Sequence, residues 1–175
     1  MGPDAQAVPV AGRPRMPKGY GIRTDDEGQL PWIWAEERLA DARNYWIATT
    51  SPSRTPHVMP VWGVWLDGAV CFGTDRESRK ARNLAENPAV VVHLESGDEV
   101  VVVHGAAVEV TEAERVRRID AVYQSKYGMT VSGAPGMVVV YAVRPRVAFA
   151  WREQSFNSDA TRWEFTGGFT GSVRA

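Results

Sequence analysis

A cluster of cations directly follows a serine in the stretch ESRKARNL, residues 77–84. Ser78 is of a residue type that caps helix N-termini, and Arg79, Lys80 and Arg82 come next. Because the helix dipole is positive at its start, cations in the first turn are mildly unfavourable unless an anion binds there. Free backbone N–H groups, a hydroxyl and two or three cations together favour a bound phosphate.

The same pattern also fits an ordinary surface helix that packs through Ala81, Leu84 and Ala85 and keeps its cations in water. The residue types alone leave both interpretations open. The position of the helix favours the phosphate, because the helix follows a predicted strand that ends at residue 74. The strand before that contains Pro60, which predicts an edge strand, a bulge or a backbone that faces a ligand.

Length and charge limit the possible functions. The 175 residues suffice for a domain with a substantial core, and 20 Lys and Arg against 21 Asp and Glu give a net charge of −1. Nothing in this balance attracts an anionic polymer or a lipid surface, so we expect no nucleic-acid partner and no membrane partner. The single cysteine, Cys71, excludes an internal disulfide and indicates a cytoplasmic location.

Residues 1–28 are rich in proline and glycine and lack the apolar segment of a secretory signal. We predict a flexible N-terminal arm over residues 1–28, in part docked on the body, and one domain over residues 29–175.

Apolar alternation and turn residues predict a mainly β chain with a few short helices. Helices are expected over residues 31–43, from Ser78 to Asn87-Pro88, and from a capping box formed by Thr111 and Glu114 to Gly128. The predicted strands cover residues 45–50, 57–66, 69–74, 89–94, 100–110, 137–143 and 147–151, and residues 161–165 are a candidate for a last short strand. Asp67-Gly68 predicts a hairpin between the second and third of them.

This pattern predicts an antiparallel sheet of about six or seven strands rolled into a small barrel. Several strands are apolar on both faces, and the chain has seven tryptophans, so we expect a homodimer.

Other chemistries find less support in the sequence. His93 and His104 lie on neighbouring predicted strands, but no carboxylate or thiolate accompanies them, and we expect no metal site. Motifs for a nucleophilic serine, a zinc protease, a P-loop or a dinucleotide fold are missing. No catalytic side chain is identified, which is compatible with a bound cofactor that carries the reaction.

The stretch RTPHVMPVWGVWLDGAVCFGTDRESRKARNLAENPAVVVHLE, residues 54–95, resembles the core of the pyridoxamine 5′-phosphate oxidase-like flavin-binding split barrels. Within that superfamily it is most similar to the flavin- and deazaflavin-dependent oxidoreductases. The resemblance implies an antiparallel split β-barrel with flanking helices. It also implies a homodimer that binds FMN, or the deazaflavin F420, at its interface and transfers hydride to or from a small organic substrate.

The resemblance implies a set of cofactor-binding residues. Arg79 and Lys80 would bind the phosphate, with Thr74 and Ser78 as hydroxyl partners. The ring and ribityl chain would lie along the segment His57, Val58, Met59, Pro60 and Val61. Arg162 and Trp163 of the partner chain would complete the site.

Two questions stay open at this level. FMN and F420 present a similar ring, ribityl chain and phosphate, so these motifs do not separate them. Arg76 and Arg82 are either contacts for the F420 tail or surface residues. The C-terminal stretch 161–175 lacks the basic residues and histidine with which true pyridoxamine 5′-phosphate oxidases hold their substrate, so that activity is not expected. The alternatives are a non-catalytic carrier of flavin, deazaflavin or haem on the same fold, and a structural dimer with an empty groove.

Overall fold

The computed structural model describes residues 9–133 and 136–166 of the chain. Within these ranges the strands are β1 (Val10–Gly12), β2 (Asn44–Thr50), β3 (Pro56–Trp62), β4 (Val64–Leu66), β5 (Ala69–Asp75), β6 (Ala89–His93), β7 (Glu99–Glu109), β8 (Val138–Arg152) and β9 (Thr161–Glu164). The α-helices are α1 (Trp32–Asp41), α2 (Arg79–Glu86), α3 (Ala113–Tyr127) and α4 (Phe156–Asp159), with 3₁₀ turns at Lys18–Tyr20 and Glu153–Ser155.

The long strand β8 organises the sheet. One edge of β8 pairs with β7 along its length, and the other edge is shared between β5 and β9, all antiparallel. The strand order continues through β6 and β2 to β3, which forms the other end of the sheet. The prediction of an antiparallel split β-barrel with few helices is confirmed, although the described residues form nine strands rather than six or seven.

Two apolar clusters stabilise this arrangement. The larger one fills the barrel with fully buried side chains from the sheet and from α1: Leu39, Tyr45, Ile47, Phe72 and Trp163. The smaller one lies under α3, whose Ile119 and Tyr123 pack against β4 and β5. The helical and strand periodicities of the sequence therefore orient the side chains as expected.

The predicted strand 57–66 is interrupted at Gly63. A Cβ at this position would lie 2.9 Å from the ring of Tyr45 and 3.1 Å from the carbonyl oxygen of Cys71, so only glycine fits. The chain bends there, and β3 and β4 become separate strands. The hairpin that follows is confirmed, with positive φ at both Asp67 (52°) and Gly68 (69°), as a type I′ turn requires.

Two further predictions need correction. The sequence predicts two strands over residues 137–143 and 147–151, but residues 138–152 form one strand, β8. Its pairing with β7 shifts register between His104 and Gly105, and the strand continues through this bulge. The capping box at Thr111 and Glu114 is wrong: α3 begins after Glu112 without a side-chain cap, and Glu114 pairs with Arg117.

The described part of the predicted arm contacts the body. Strand β1 pairs with β9, and Arg13 donates to the carbonyl oxygens of Ser158 and Ala160 over 2.8 and 3.0 Å. The domain boundary between residues 28 and 29 stays a prediction. Within the described residues, no helix has both the length and the apolar character that crossing a bilayer requires.

Candidate functional site

The start of α2 has the form that the sequence predicts. Ser78 is the N-cap residue, and its Oγ accepts a hydrogen bond from the backbone N–H of Ala81 at 3.2 Å. The first turn contains no acidic residue. Because the first N–H groups of a helix have no acceptor within it, those of Arg79 and Lys80 are available to a ligand. The helix start therefore offers hydrogen-bond donors and positive charge at one place.

Two hydroxyls and an ammonium group meet at the end of β5. Thr74 Oγ1 and Ser78 Oγ are 3.0 Å apart, and Lys80 Nζ donates to Thr74 Oγ1 at 3.3 Å. Burial lowers the pKa of Lys80 because the charged form loses water. Among the residues that the structure describes, Lys80 has no carboxylate partner. We call Thr74, Ser78 and Lys80, together with the start of α2, the oxyanion cradle.

His57 on β3 faces the same cations. Loss of solvent lowers its pKa, and the charges of Arg79 and Lys80 lower it further. Its Nδ1 atom is buried and has no hydrogen-bond partner among the described residues. A neutral imidazole beside two cations, with an unpaired nitrogen, indicates that a further polar group belongs at this place.

A hydrogen-bonded chain fixes α2 relative to β3. The amide of Asn83 donates to Thr49 Oγ1 at 2.9 Å, and Thr49 Oγ1 contacts the carbonyl oxygen of His57 at 3.4 Å. Thr49 and Asn83 are each 3% exposed, so water does not compete for these bonds. Sequence reasoning missed both residues, although an asparagine at i+4 from Arg79, on a helix side that packs on the sheet, was the available signal.

Strand β3 forms an exposed edge beside the cradle. It pairs with β2, where Pro60 lies opposite Trp46, and the edge position explains how a residue without an N–H is accommodated. The apolar residues Val58 and Met59 are 47% and 49% exposed. Val61 is half-buried and turns toward the core. The edge therefore combines free backbone groups with apolar side chains, a surface suited to a flat and partly apolar ligand.

Arg162 and Trp163 lie elsewhere on the molecule. Trp163 is 1% exposed and packs against Trp32 with ring centroids 5.2 Å apart, so its side chain is part of the core of the single chain. Its contact with a ligand at a partner's site stays a prediction. Arg162 is half-buried, pairs with Glu164 and lies 6.0 Å from the ring centroid of Phe149. Its role at a partner's site stays a prediction.

The other histidines are engaged with aromatic rings. His93 stacks on Trp46 with centroids 6.1 Å apart, and His104 meets Phe149 edge-on at 5.5 Å. In residues 9–133 and 136–166, no three His, Cys, Asp or Glu side chains are grouped so as to hold a metal ion.

Known proteins share this fold. Residues 35–152 match the family model described as pyridoxamine 5′-phosphate oxidase. A conserved hypothetical protein of Mycobacterium tuberculosis is similar over 86% of this chain and 100% of its own, with a TM-score of 0.65 and 21% identity. No curated protein matches the chain in sequence.

Two structural neighbours carry functional names. An F420 reductase is similar over 65% of this chain and 94% of its own, with a TM-score of 0.53 and 23% identity. The haem storage protein HutZ of Vibrio cholerae is similar over 65% and 87%, with a TM-score of 0.56 and 17% identity. At these identities the likeness shows the fold alone.

Proposed function

Because the chain belongs to the pyridoxamine 5′-phosphate oxidase family, we propose that it is an oxidoreductase that binds FMN or F420 at the oxyanion cradle. It transfers hydride to or from a small organic substrate. The F420 reductase among the structural neighbours supports this class of cofactor. The observation that carries the proposal is the cluster of Lys80, Thr74 and Ser78, with Lys80 Nζ 3.3 Å from Thr74 Oγ1 and no acid in the first turn of α2.

The residues of the cradle fit a phosphate. The phosphate, a dianionic monoester in FMN and a monoanionic diester in F420, would accept from the N–H groups of Arg79 and Lys80, from both hydroxyls and from the two cationic side chains. Such charge-assisted hydrogen bonds contribute about 1.5–3 kcal/mol each. The anion would also offset the cations that act on His57, whose unpaired Nδ1 is a candidate contact for the ribityl hydroxyls or the phosphate.

The edge strand β3 supplies the surface for the ring. Its free backbone groups can hydrogen-bond the polar rim of the ring, and Val58 and Met59 can cover part of the apolar face. When bound, the cofactor supplies the hydride chemistry. The residues of this chain hold it, orient it and exclude water, and no acid or base side chain is assigned to the reaction.

A second copy of the chain completes the proposal. Pro60, Trp46, His93, Val102 and Phe149 lie opposite one another on five neighbouring strands and so share one sheet face. None of the five is fully buried in the single chain. We propose that a homodimer covers this face, beside the ring-binding edge. Light scattering should give twice the chain mass, and Phe149→Glu, which places a charge in the face, should give a monomer.

A binding titration tests the cofactor assignment. Purified protein is titrated with FMN and with F420, and the dissociation constants are compared with those of Lys80→Ala and Arg79→Ala. We expect each substitution to weaken binding at least tenfold, whereas Arg117→Ala, at an exposed ion pair far along the sequence on α3, should change nothing. Unchanged constants for both cradle variants would refute the phosphate site.

Haem storage is the second candidate, because HutZ shares the fold. A carrier would bind its ligand without turnover, so reduced cofactor mixed with conjugated organic acceptors separates the two functions. Oxidation by an acceptor supports the enzyme, whereas a tight Soret complex with haem and no turnover supports the carrier. In either case we place the protein in the cytoplasm, and oxidation of pyridoxamine 5′-phosphate itself is not proposed.

A further inference from the structure

A cavity opens beside Arg79, between α2 and the loop that joins β2 to β3. Its volume is about 440 Å³, within the range of about 300–1,000 Å³ that small-molecule sites have. We call this cavity the tail cleft. It is lined by Ser51, Pro52, Arg79, Arg82, Asn83, Ala85 and Glu86. Residues 79, 82, 83 and 86 are three or four positions apart and share one face of the helix.

The cationic residues of the tail cleft are not neutralised by the protein. Within the described part of the chain, neither Arg79 nor Arg82 has a carboxylate partner; Arg82 donates to the carbonyl oxygen of Glu77 instead. By contrast, Arg76 on the loop before α2 is 2.6 Å from Glu109. Two arginines against one glutamate leave the cleft with net positive charge, which suits a ligand that carries carboxylates.

The tail cleft adjoins the oxyanion cradle. Arg79 lines the cleft and also acts on His57, together with Lys80 of the cradle. Asn83, which is 3% exposed, forms part of the cleft wall and is fixed by its hydrogen bond to Thr49. A ligand whose phosphate lies in the cradle can therefore extend past Arg79 into the cleft along a rigid surface.

We infer that the tail cleft binds a carboxylate-bearing extension beyond the cofactor phosphate, and that this extension makes F420 the cofactor. FMN ends at its phosphate, whereas F420 continues through a lactyl group into a chain of glutamates. Arg82 is then the residue that distinguishes the two cofactors, because it faces the extension and lies outside the cradle. This inference rests on the proposed function.

The test compares three ligands on one protein: FMN, F420 without glutamates and F420 with several glutamates. Wild-type protein should bind the glutamylated form about tenfold more tightly than the other two. Arg82→Ala should remove that advantage, a loss of about tenfold that corresponds to one charge-assisted contact, and leave the constant for FMN unchanged. Glu86→Gln should tighten the binding of glutamylated F420 alone, because it removes the negative charge of Glu86 from the cleft.

The outcomes separate this inference from the proposal beneath it. Equal binding of FMN and both forms of F420, or an equal loss for all three in Arg82→Ala, would overturn the tail cleft while the cradle stands. If none of the three binds to the wild-type protein, the proposed function fails and the inference fails with it. Arg117→Ala is the matched control, because it removes a surface arginine outside the cleft. Thermal unfolding confirms that each variant is folded.

Discussion

Lys80 donates a hydrogen bond to Thr74 across 3.3 Å, so the ammonium group in the first turn of α2 lies over the end of β5. Burial lowers the pKa of this lysine, which means that the fold does not stabilise its charge. Lys126 on α3 is also partly buried, and burial also lowers its pKa. Its Nζ, however, donates to the carbonyl oxygens of Ala40 at 2.9 Å and Gly63 at 3.3 Å. We therefore expect Lys126 to stabilise the fold and Lys80 to bind a ligand.

Replacing each lysine by methionine should reveal this difference. We expect Lys80→Met to leave the free energy of unfolding of the free protein unchanged or higher, because a poorly solvated charge is removed. Lys126→Met should lower it by about 1–3 kcal/mol, because two carbonyl groups lose their donor. Denaturant titrations measure both effects, and a marked loss of stability in Lys80→Met would show that Lys80 serves the fold rather than a ligand.

His57 should report the charge state of the cradle. In the free protein its pKa lies below 6.5, because of desolvation and the cations Arg79 and Lys80. Between that pKa and 6.5 the unfolded chain binds more protons, so stability falls as the pH drops through this window. A bound phosphate offsets the cations and should raise the pKa, with proton uptake on binding.

NMR titration of the His57 ring, with and without inorganic phosphate, measures this shift directly. Lys80→Met should raise the His57 pKa in the absence of phosphate. His104 is the internal control, because desolvation alone lowers its pKa and Lys80 plays no part. If neither phosphate nor Lys80→Met changes the pKa of His57, the cations and the imidazole are not coupled.

Local sequence signals predicted much of this molecule. The N-cap at Ser78 and the hairpin turn at Asp67-Gly68 each depend on residues within four positions in the sequence, and both are found as predicted. Gly63 is different, because the need for glycine arises from the ring of Tyr45, which lies on another strand. A sequence window contains no information about that contact, so the predicted strand ran through the bend.

The same limit applies to the candidate site. The cations of α2 were visible in sequence because they violate a local rule of helix electrostatics. Asn83 and Thr49, which fix α2 to β2, obey no such rule and became apparent only from their 2.9 Å hydrogen bond. Trp163 was assigned to the site by resemblance, and its burial arises from packing against Trp32 on α1, a contact that no local sequence pattern contains.

Gly105 is the residue that the bulge of β8 requires. A Cβ at this position would lie 2.3 Å from the carbonyl oxygen of Arg144, a backbone atom that cannot move without distorting the strand. Gly105→Ala should therefore lower the free energy of unfolding by about 3 kcal/mol, near the upper end of the overpacking range. Gly97→Ala is the matched control, because nothing lies within 4 Å of its added Cβ. Equal stability of the two variants in urea titrations would contradict the register shift.

Arg13 tests whether residues 9–28 belong to the body of the domain. Its side chain is 10% exposed, and it donates to the carbonyl oxygens of Asp25 and Glu27 as well as those of Ser158 and Ala160. Arg13→Ala leaves the part-buried acceptors on Ser158 and Ala160 without their donor, whereas water can replace it at Asp25 and Glu27, so the substitution should cost about 1–3 kcal/mol. Strand β1 should then open, and trypsin should cleave after the exposed Lys18 faster than in the wild-type protein.

Arg23→Ala is the control for this effect, because Arg23 forms its ion pairs with Asp25 and Glu27 at the surface. Exposed pairs contribute little, so neither stability nor cleavage should change appreciably. Equal cleavage rates in wild type, Arg13→Ala and Arg23→Ala would mean that β1 contributes nothing to the stability of β9. Selective cleavage in Arg13→Ala would instead show that Arg13 holds the described part of the arm on the body through its contacts with Ser158 and Ala160.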